Sequence, residues 1–370
     1  MSLYKNYKKA WLVLEDGSVF EGKSFGCEGT TVGEVVFATG MTGYQETLTD
    51  PSYFGQIVTQ TFPMIGNYGV NSQDFESDKV YLKGYIVREY CEEPNNFRCE
   101  GTIDEFLKKQ GVIALYDIDT RALTRRIREK GVMNGAITTE EARLHDPALL
   151  AEIHSYVIRD AVKSVSIKEY KVYEPEEERY HVVLMDFGYK RNIRKKLLAR
   201  GMKVTVVPYN TSLEEIMKLN PDGIMLSNGP GDPEENVEVI NTLRQIIGTG
   251  IPVFGICLGH QLMALAHGAR TEKMKYGHRG ANQPVIDLKT GRTYVTTQNH
   301  GYAVVSDSIT PEMGQVSHVN ANDKSCEGVR YTDCNAFTVQ FHPEAFAGPL
   351  DTGFLFDNFM KMMDEKKEGK

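Results

Sequence analysis

IPVFGICLGHQLMALAHG, residues 251–268, is the stretch that decides the fold. Residues 251–256 are apolar and predict a buried strand, while residues 261–268 predict a helix. Between them, Gly255 and Gly259 flank Cys257 in the G-x-nucleophile-x-G spacing of a tight strand-to-helix turn, which presents the central side chain at the sheet edge. The first amides of the helix favour a thiolate, and the Leu258 amide can face a developing oxyanion. A nucleophilic Cys257 is the sharper hypothesis, and a buried core cysteine is the alternative.

The same rhythm of apolar strand and amphipathic helix runs through the chain before this turn. Uniformly apolar strands separated by helices indicate a mostly parallel sheet covered on both faces, which is a three-layer α/β domain. Site residues of such sheets collect at the carboxyl ends of the strands. The segments are HVVLMDFG, KRNIRKKLLARG, KVTVVPY, SLEEIMKLN, GIMLSNG and NVEVINTLRQIIG. A later stretch, VIDLKTGRTYVTTQNHGYAVV, predicts antiparallel strands, and TGFLFDNFMKMMDE predicts a closing helix.

The N-terminal part of the chain has a different pattern, with short strands and turns. WLVLEDGSVFEG predicts two strands joined by an Asp-Gly turn. GEVVFATG, QIVTQTF and KGYIVREY predict further strands, and TIDEFLKKQ and DIDTRALTRRIREKG predict helices with Thr or Asp caps. This half is therefore expected to be a mixed α+β domain.

Residues 166–179, SIKEYKVYEPEEER, have little apolar periodicity and end in an acidic run around a proline. Such composition is typical of an exposed linker. We therefore predict an N-terminal domain at residues 1–165, a linker at 166–180 and an α/β domain at 181–370.

Composition narrows the classes of partner. The chain has 370 residues and a formal net charge of -8, so its surface gives no general attraction for nucleic acid or anionic lipid. Its six cysteines form no CxxC pair and no ligand cluster, so no metal site is expected and free thiols in the cytoplasm fit best. We find neither a signal sequence nor a run of roughly 20 apolar residues that could cross a membrane.

A cysteine nucleophile needs a base that is itself oriented by an acid. Phe341-His342-Pro343-Glu344 follows the strand-like run AFTVQ, and residues two apart in an extended chain project to the same side. Glu344 can therefore orient the imidazole of His342. The alternative is a turn histidine beside an exposed glutamate.

Two further segments contain residues that could bind a substrate. Residues 227–233, SNGPGDP, end a predicted strand with a rigid, closely approachable backbone, although a plain loop capped by Asp232 is the alternative. Because no Gly-Lys-Ser or Gly-Lys-Thr follows, ATP binding is not expected on this chain. Residues 298–302, QNHGY, favour a turn. Other histidines are interpreted as surface residues or as internally satisfied, namely His260, His267, His278, His300 and His318.

Taken together, GICLGHQ, SNGPGDP, QNHGYAV and FHPEA resemble the class I (triad) glutamine amidotransferase domain. The segment GEVVFATGMTGYQETLTDPSYFGQIVTQTFPMIGNYG is similar to the domain that precedes this module in the carbamoyl phosphate synthetase small subunits. The resemblance covers nearly the whole chain. It implies that glutamine is hydrolysed on this chain, and that a separate large subunit uses ATP, magnesium and bicarbonate and receives the ammonia through a tunnel.

The resemblance also implies residue roles. Cys257 would attack the glutamine amide to form a thioester, His342 would transfer protons, Glu344 would orient His342, and backbone groups of Gly229 and Leu258 would stabilise the oxyanion. No cofactor is implied on this chain. The positions that match the family's glutamine-binding residues are Ser52, Gly229, Gly231, Leu258, Gln261, Asn299, Gly301 and Tyr302.

Two positions depart from the family pattern. Tyr302 stands where the family more often has Phe, and HPEAFAGP replaces the usual HPEASPGP. Tyr302 is harmless if it acts mainly through its backbone, while the second change affects only the loop after the triad.

Three alternative functions are compatible with parts of the sequence. Another triad amidotransferase would share the C-terminal motifs, but TGYQETLTDPSY argues against it. A free-standing hydrolase of γ-glutamyl amides would use the same chemistry without a partner. A regulatory pseudoenzyme would be expected to have lost Cys257 or His342. The sequence leaves open whether the product feeds arginine synthesis, pyrimidine synthesis or both.

Overall fold

The computed structural model describes residues 7–369. The chain divides into two compact units, Met1–Arg159 and Asp160–Lys370. Residues 166–180, for which the sequence predicts a linker, therefore lie within the second unit. Part of that segment, Lys171–Tyr173, is a strand that pairs with Met202–Pro208 in antiparallel orientation.

The first unit is built on a closed barrel of seven strands. The strands of this unit are β1 (Lys9–Leu14), β2 (Val19–Gly26), β3 (Thr30–Ala38), β4 (Gln56–Gln60), β5 (Met64–Ile65), β6 (Gly84–Ile86), β7 (Glu89–Tyr90), β8 (Ile113–Tyr116) and β9 (Met133–Thr138). The order around the barrel is β1-β2-β8-β6-β4-β3-β9, while β5 and β7 pair with each other. Its α-helices are α1 (Tyr44–Thr49), α2 (Ile103–Gln110), α3 (Thr120–Lys130) and α4 (Pro147–Ser155), with 3-10 turns at Pro51–Tyr53 and Glu141–His145.

Local sequence signals account for the ends of several elements in this unit. The Asp-Gly turn joins β1 and β2 as an antiparallel hairpin, as predicted. Thr102 and Glu105 form a capping box at the start of α2, and the Asp119 side chain caps α3. Closure of the barrel comes from β9, which pairs with both β1 and β3. The mixed α+β expectation thus takes the specific form of a barrel with flanking helices.

The second unit contains one large sheet with helices on both faces. Its helices are α5 (Ala161–Val165), α6 (Arg191–Leu198), α7 (Leu213–Lys218), α8 (Val237–Ile247), α9 (Leu258–Ala266) and α10 (Phe354–Lys367), with 3-10 turns at Pro233–Glu235 and Ser306–Ser308. Its strands are β10 (Lys171–Tyr173), β11 (Tyr180–Asp186), β12 (Met202–Pro208), β13 (Gly223–Leu226), β14 (Val253–Ile256), β15 (Thr271–Asp287), β16 (Thr293–Val304), β17 (Gly314–Asn320), β18 (Cys326–Tyr331) and β19 (Ala336–Val339).

The sheet is parallel only at its centre. Its order is β10-β12-β11-β13-β14-β19-β18-β17-β15-β16. The five central strands, β12, β11, β13, β14 and β19, pair in parallel, whereas the pairings on either side of them are antiparallel. The prediction of a mostly parallel sheet is therefore correct for the centre of the sheet and not for the sheet as a whole. The difference arises because the chain after α9 returns through hairpins, and strands joined in this way run antiparallel.

Two apolar cores lie on opposite faces of this sheet. Alternate residues of β11 point to opposite sides, so Met185 packs with Leu243 of α8 and Leu262 of α9, while Leu184 packs with residues of α6 and α10 such as Phe356. Parallel pairing of β11, β13, β14 and β19 brings their carboxyl ends to one edge of the sheet. Within residues 7–369, none of the helices combines the length and apolar character needed to cross a bilayer.

Candidate active site

Cys257 occupies the sharp turn between β14 and α9. Its φ of 53° and ψ of -103° place a non-glycine residue in a sparsely populated backbone region, which is typical of strained functional turns. A Cβ at Gly259 would lie 2.5 Å from the carbonyl oxygen of Leu226, so only glycine allows the start of α9 to approach β13 this closely. The predicted nucleophile elbow is thus present in the backbone.

The thiol of Cys257 is buried and has both apolar and polar neighbours. The residue is 2% exposed, and its Sγ lies 3.7 Å from the carbonyl oxygen of Asn299. The thiol also lies close enough to the imidazole of His342 to raise the pKa of that ring. Cys257 also packs among apolar residues, so its interaction with His342 is what distinguishes it from an ordinary core cysteine.

His342 and Glu344 follow β19, which is the neighbour of β14 in the sheet. The Nδ1 of His342 donates to Oε1 of Glu344 at 2.8 Å, and both side chains are fully buried. The predicted contact therefore forms, but in a turn where Ala345 N donates to His342 O rather than in an extended strand. In the described chain no hydrogen bond of normal geometry reaches His342 Nε2, which leaves that atom available for the thiol proton.

Lys190 is a member of this cluster that the sequence analysis did not identify. Its Nζ lies 2.8 Å from Oε1 of Glu344, and its side chain is 6% exposed. Its backbone N–H donates to the Asn228 side chain at 3.1 Å, and Asn228 Nδ2 donates to Gly188 O at 2.9 Å. Lys190 lies in the loop between β11 and α6, at the carboxyl end of the strand where site residues collect, but its own sequence context does not pair it with Glu344.

The charges of these groups are strongly coupled. Burial and the Lys190 ammonium oppose protonation of His342, but Glu344 and the Cys257 thiol outweigh them and raise the pKa of His342 to about 9. Burial would raise the pKa of Glu344, but Lys190 and His342 lower that pKa to about 2. Glu344 is therefore ionised at neutral pH and favours a proton on the imidazole.

The loop at residues 227–233 lies against the start of α9. A Cβ at Gly229 would lie 2.2 Å from Phe187 O and 2.7 Å from a methyl carbon of Leu258, so Gly229 and Leu258 are neighbours. Gly231 lies two residues further along this loop. Asp232 accepts from Glu234 N at 3.0 Å, so the capping alternative also holds for that residue. The backbone of Gly229 and the first amide of α9 can thus face one oxygen atom.

Residues 298–302 form part of strand β16, and the predicted turn is wrong. Here His278, Arg279 and Gly280 pair with residues 298–300, and this pairing outweighs the turn preference of Asn and Gly. Gln261 Nε2 donates to Tyr302 O at 2.8 Å and lies 2.9 Å from Gln340 Oε1. This strand therefore places its backbone beside α9 and Cys257.

Ser52 is the one predicted site residue in the first unit. It lies in the 3-10 turn Pro51–Tyr53, where its backbone N–H donates to Asp50 Oδ1 at 2.9 Å, and it is 8% exposed. The other predicted positions surround the elbow in the second unit or lie in the two segments next to it, namely Gly229, Gly231, Leu258, Gln261, Asn299, Gly301 and Tyr302.

Within residues 7–369, two groups bring three metal-ligating atoms within 4.8 Å of one another. They are His267, Asp333 and Cys334, and His278, His300 and Glu327. In the second group both ring nitrogens of His300 already have partners, Tyr302 O at 2.7 Å and Gln298 Oε1 at 3.0 Å. We therefore interpret that group as a hydrogen-bonding network. His278 and His300 are 8% and 5% exposed, so neither is a surface histidine, and the predicted alternative of an internally satisfied histidine describes His300.

Comparisons with known proteins agree along the chain. Residues 12–137 match the family described as carbamoyl-phosphate synthase small chain, CPSase domain, and residues 183–362 match glutamine amidotransferase class-I. The chain is 51% identical over 354 residues to the carbamoyl phosphate synthase small chain of Fusobacterium nucleatum subsp. nucleatum, covering 95% of this chain and 98% of that protein.

A second relative is equally similar. The carbamoyl phosphate synthase small chain of Listeria monocytogenes serotype 4b is 51% identical over 363 residues, covering 98% of this chain and 99% of that protein. Among solved structures, a glutamine amidotransferase from Thermotoga maritima is 17% identical, with coverage of 52% and 86% and a TM-score of 0.37.

Proposed function

This chain belongs to the family of carbamoyl phosphate synthase small chains, and from that premise we propose that it hydrolyses L-glutamine to glutamate and ammonia. The ammonia passes to a large subunit on another chain, which makes carbamoyl phosphate from bicarbonate and ATP. The observation that carries the proposal is the buried contact of Cys257, His342 and Glu344 at the elbow.

The proposed reaction proceeds through a cysteinyl thioester. The thiol proton of Cys257 passes to His342 Nε2, where Glu344 favours it, and the sulfur then attacks the side-chain amide carbon of glutamine. The resulting oxyanion accepts from the backbone amides of Leu258 and Gly229. His342 then gives its proton to the departing nitrogen, which leaves as ammonia when the carbon–nitrogen bond breaks.

The second half of the reaction releases glutamate. Water attacks the thioester carbon, and His342 accepts a proton from that water and returns one to the Cys257 sulfur as the carbon–sulfur bond breaks. Glu344 keeps Nδ1 of the imidazole protonated, so that Nε2 is the atom that exchanges protons with the reactants.

Glutamine binding in the second unit involves the predicted positions Gly229, Gly231, Leu258, Gln261, Asn299, Gly301 and Tyr302, while Ser52 in the first unit stays a prediction from the family resemblance. The contacts that support this assignment are the approach of Asn299 O to Cys257 and the hydrogen bond from Gln261 to Tyr302 O. That bond also supports a backbone role for Tyr302, so its departure from Phe is compatible with activity.

ATP and magnesium belong to the large subunit in this proposal, and this chain needs no cofactor of its own. We place the chain in the cytoplasm, where free thiols persist. Its six cysteines are unpaired: Cys27, Cys91, Cys99, Cys257, Cys326 and Cys334.

Cys257→Ser in the complex reconstituted with the large subunit tests this function. We expect glutamine-dependent synthesis of carbamoyl phosphate to be lost and synthesis from added ammonia to persist, because the change affects only ammonia release. Cys334→Ser is the control, since that thiol is partly buried but lies beside His267 rather than at the elbow. Loss of both activities in the Cys257 variant would contradict the proposal.

A free-standing γ-glutamyl amide hydrolase is the second candidate, because the elbow alone would serve it equally well. Glutamine hydrolysis by the purified chain, measured with and without the large subunit, separates the two. A strong increase on adding the large subunit supports the synthetase role, whereas full turnover that the large subunit leaves unchanged favours the hydrolase.

A further inference from the structure

His278 lies on strand β15, opposite His300 of β16, in a buried group of polar side chains. Its Nε2 lies 2.8 Å from Oδ2 of Asp323, and its Nδ1 lies 3.6 Å from Oε1 of Glu327. Its ring meets the ring of His300 edge-on, with centroids 5.1 Å apart. We call His278, His300, Asp323 and Glu327 the histidine network.

Two carboxylates contact His278, one on strand β18 and the other in the turn before that strand. Glu327, on β18, is fully buried and accepts from Asn320 Nδ2 at 3.1 Å. Asp323 lies in the turn between β17 and β18, where its Oδ1 accepts from Ser325 N at 3.0 Å. Burial alone would lower the pKa of His278, but Glu327 and Asp323 outweigh it and raise that pKa. His278 therefore joins β15 to β18 and its preceding turn by charge.

The network is continuous with the segment that faces Cys257. His300 Nδ1 donates to Tyr302 O at 2.7 Å, and the same carbonyl accepts from Gln261 Nε2 at 2.8 Å. His278 also pairs with His300 across the two strands, and Asn299, whose carbonyl lies 3.7 Å from Cys257 Sγ, is the next residue on β16. A shift of the His278 ring would thus be transmitted to residues 299–302.

We propose that His278 is a positioning residue, which through its ion pairs with Asp323 and Glu327 holds residues 298–302 in the geometry that binds glutamine. The inference rests on the proposed function and adds residues that touch neither glutamine nor the reacting atoms. Buried groups that fix a binding strand act mainly on substrate affinity, because the nucleophile and base remain in place.

The test compares His278→Gln, Glu327→Gln and the double variant in the complex with the large subunit. We expect each single change to raise the KM for glutamine about tenfold, with kcat within about threefold and synthesis from ammonia unchanged. Because both changes break one interaction, the double variant should raise KM far less than the product of the single effects.

His267→Gln is the matched control. The His267 side chain is 2% exposed, against 9% for His278, and pairs with Asp333 at 3.2 Å, but it lies at the far end of α9 from the elbow. Its KM for glutamine should stay within about twofold of the unsubstituted chain. A KM change as large as that of His278→Gln would show that any buried histidine pair has this effect, and would overturn the inference.

Two further outcomes decide the matter. If His278→Gln does not fold, Asp323→Asn replaces it, because the Asp323 side chain is 45% exposed and its loss leaves the core intact. An unchanged KM in the folded variants of an active complex overturns the inference alone. A complex without any glutamine hydrolysis before substitution overturns the proposed function, and this inference with it.

Discussion

Lys190 Nζ and His342 Nδ1 both lie 2.8 Å from the same oxygen, Oε1 of Glu344. One buried carboxylate therefore has two cationic or proton-donating partners. Lys190 and His342 keep Glu344 ionised. Glu344 favours protonation of His342 and Lys190 opposes it, so Lys190 limits how tightly the imidazole holds its second proton. This arrangement suits a base that must both take and return a proton.

Removing the ammonium tests this relationship. Lys190→Met leaves the Glu344 charge buried with one partner fewer, so we expect the free energy of unfolding to fall by about 3 kcal/mol. Glutamine hydrolysis should fall at least about tenfold, because the position of Glu344 orients His342. Denaturant unfolding and a glutaminase assay measure the two effects.

Lys218→Met is the control for that experiment. It breaks an exposed ion pair with Glu214 at 2.7 Å on helix α7. Such pairs contribute less than about 1 kcal/mol, so both stability and hydrolysis should be nearly unchanged. Equal losses in the two variants would contradict the structural role of Lys190.

The pH dependence of stability reports on His342. Its pKa is raised from 6.5 to about 9 in the folded chain, so protonation stabilises the fold fully below pH 6.5 and this contribution is lost as pH rises through 9. A shift of this size corresponds to about 3 kcal/mol. The stability difference between the unsubstituted chain and His342→Asn should therefore shrink by that order between about pH 6 and pH 9.5.

Thermal unfolding at several pH values measures this difference, and His154→Asn controls for replacing an exposed histidine. A difference that grows with pH would mean that the folded state disfavours the imidazolium, contrary to the pairing with Glu344.

The elbow makes a steric prediction. Gly259→Ala would place a Cβ 2.5 Å from Leu226 O, which is backbone and cannot turn aside. We expect about 1–3 kcal/mol of destabilisation and at least about a hundredfold loss of hydrolysis, since the start of α9 must move away from Cys257. Gly248→Ala is the control, because a Cβ there would lie 3.7 Å from Gln245 O and the φ of Gly248 is -74°. Full activity of the Gly259 variant would refute the close approach.

Substitutions of Tyr302 and Gln261 should differ in their effect on the KM for glutamine. Tyr302→Phe keeps the carbonyl that accepts from Gln261 and His300, so the KM for glutamine should stay within about twofold. Gln261→Ala removes one of these donors and should raise the KM about tenfold. Steady-state kinetics of both variants decide this, and the reverse order would assign the binding contribution to the Tyr302 hydroxyl.

Residues close together in sequence were predicted well. The spacing of Gly255, Cys257 and Gly259 identified the elbow, because a tight turn depends mainly on residues adjacent in sequence. The contact of His342 with Glu344 was predicted for the same reason, although the local chain forms a turn. The capped helices α2 and α3 also follow from local side-chain bonds.

Features that depend on distant pairing could not be read from the sequence. Lys190 looks like the first residue of an ordinary basic helix until Glu344 is brought beside it by the neighbouring strands. Residues 298–302 carry turn-forming types, and only the pairing with β15 makes them a strand. Barrel closure by β9 likewise requires two partners that lie far from it in the chain.

Mapping of the covalent intermediate tests the nucleophile most directly. The complex is mixed with glutamine, quenched in acid within one turnover and digested, and the peptide that contains Cys257 is examined by mass spectrometry. We predict that this peptide gains the mass of one glutamyl group, and that Cys257→Ser abolishes the adduct. Glutamine hydrolysis with no adduct on Cys257, or with the adduct on another cysteine, would contradict the assignment.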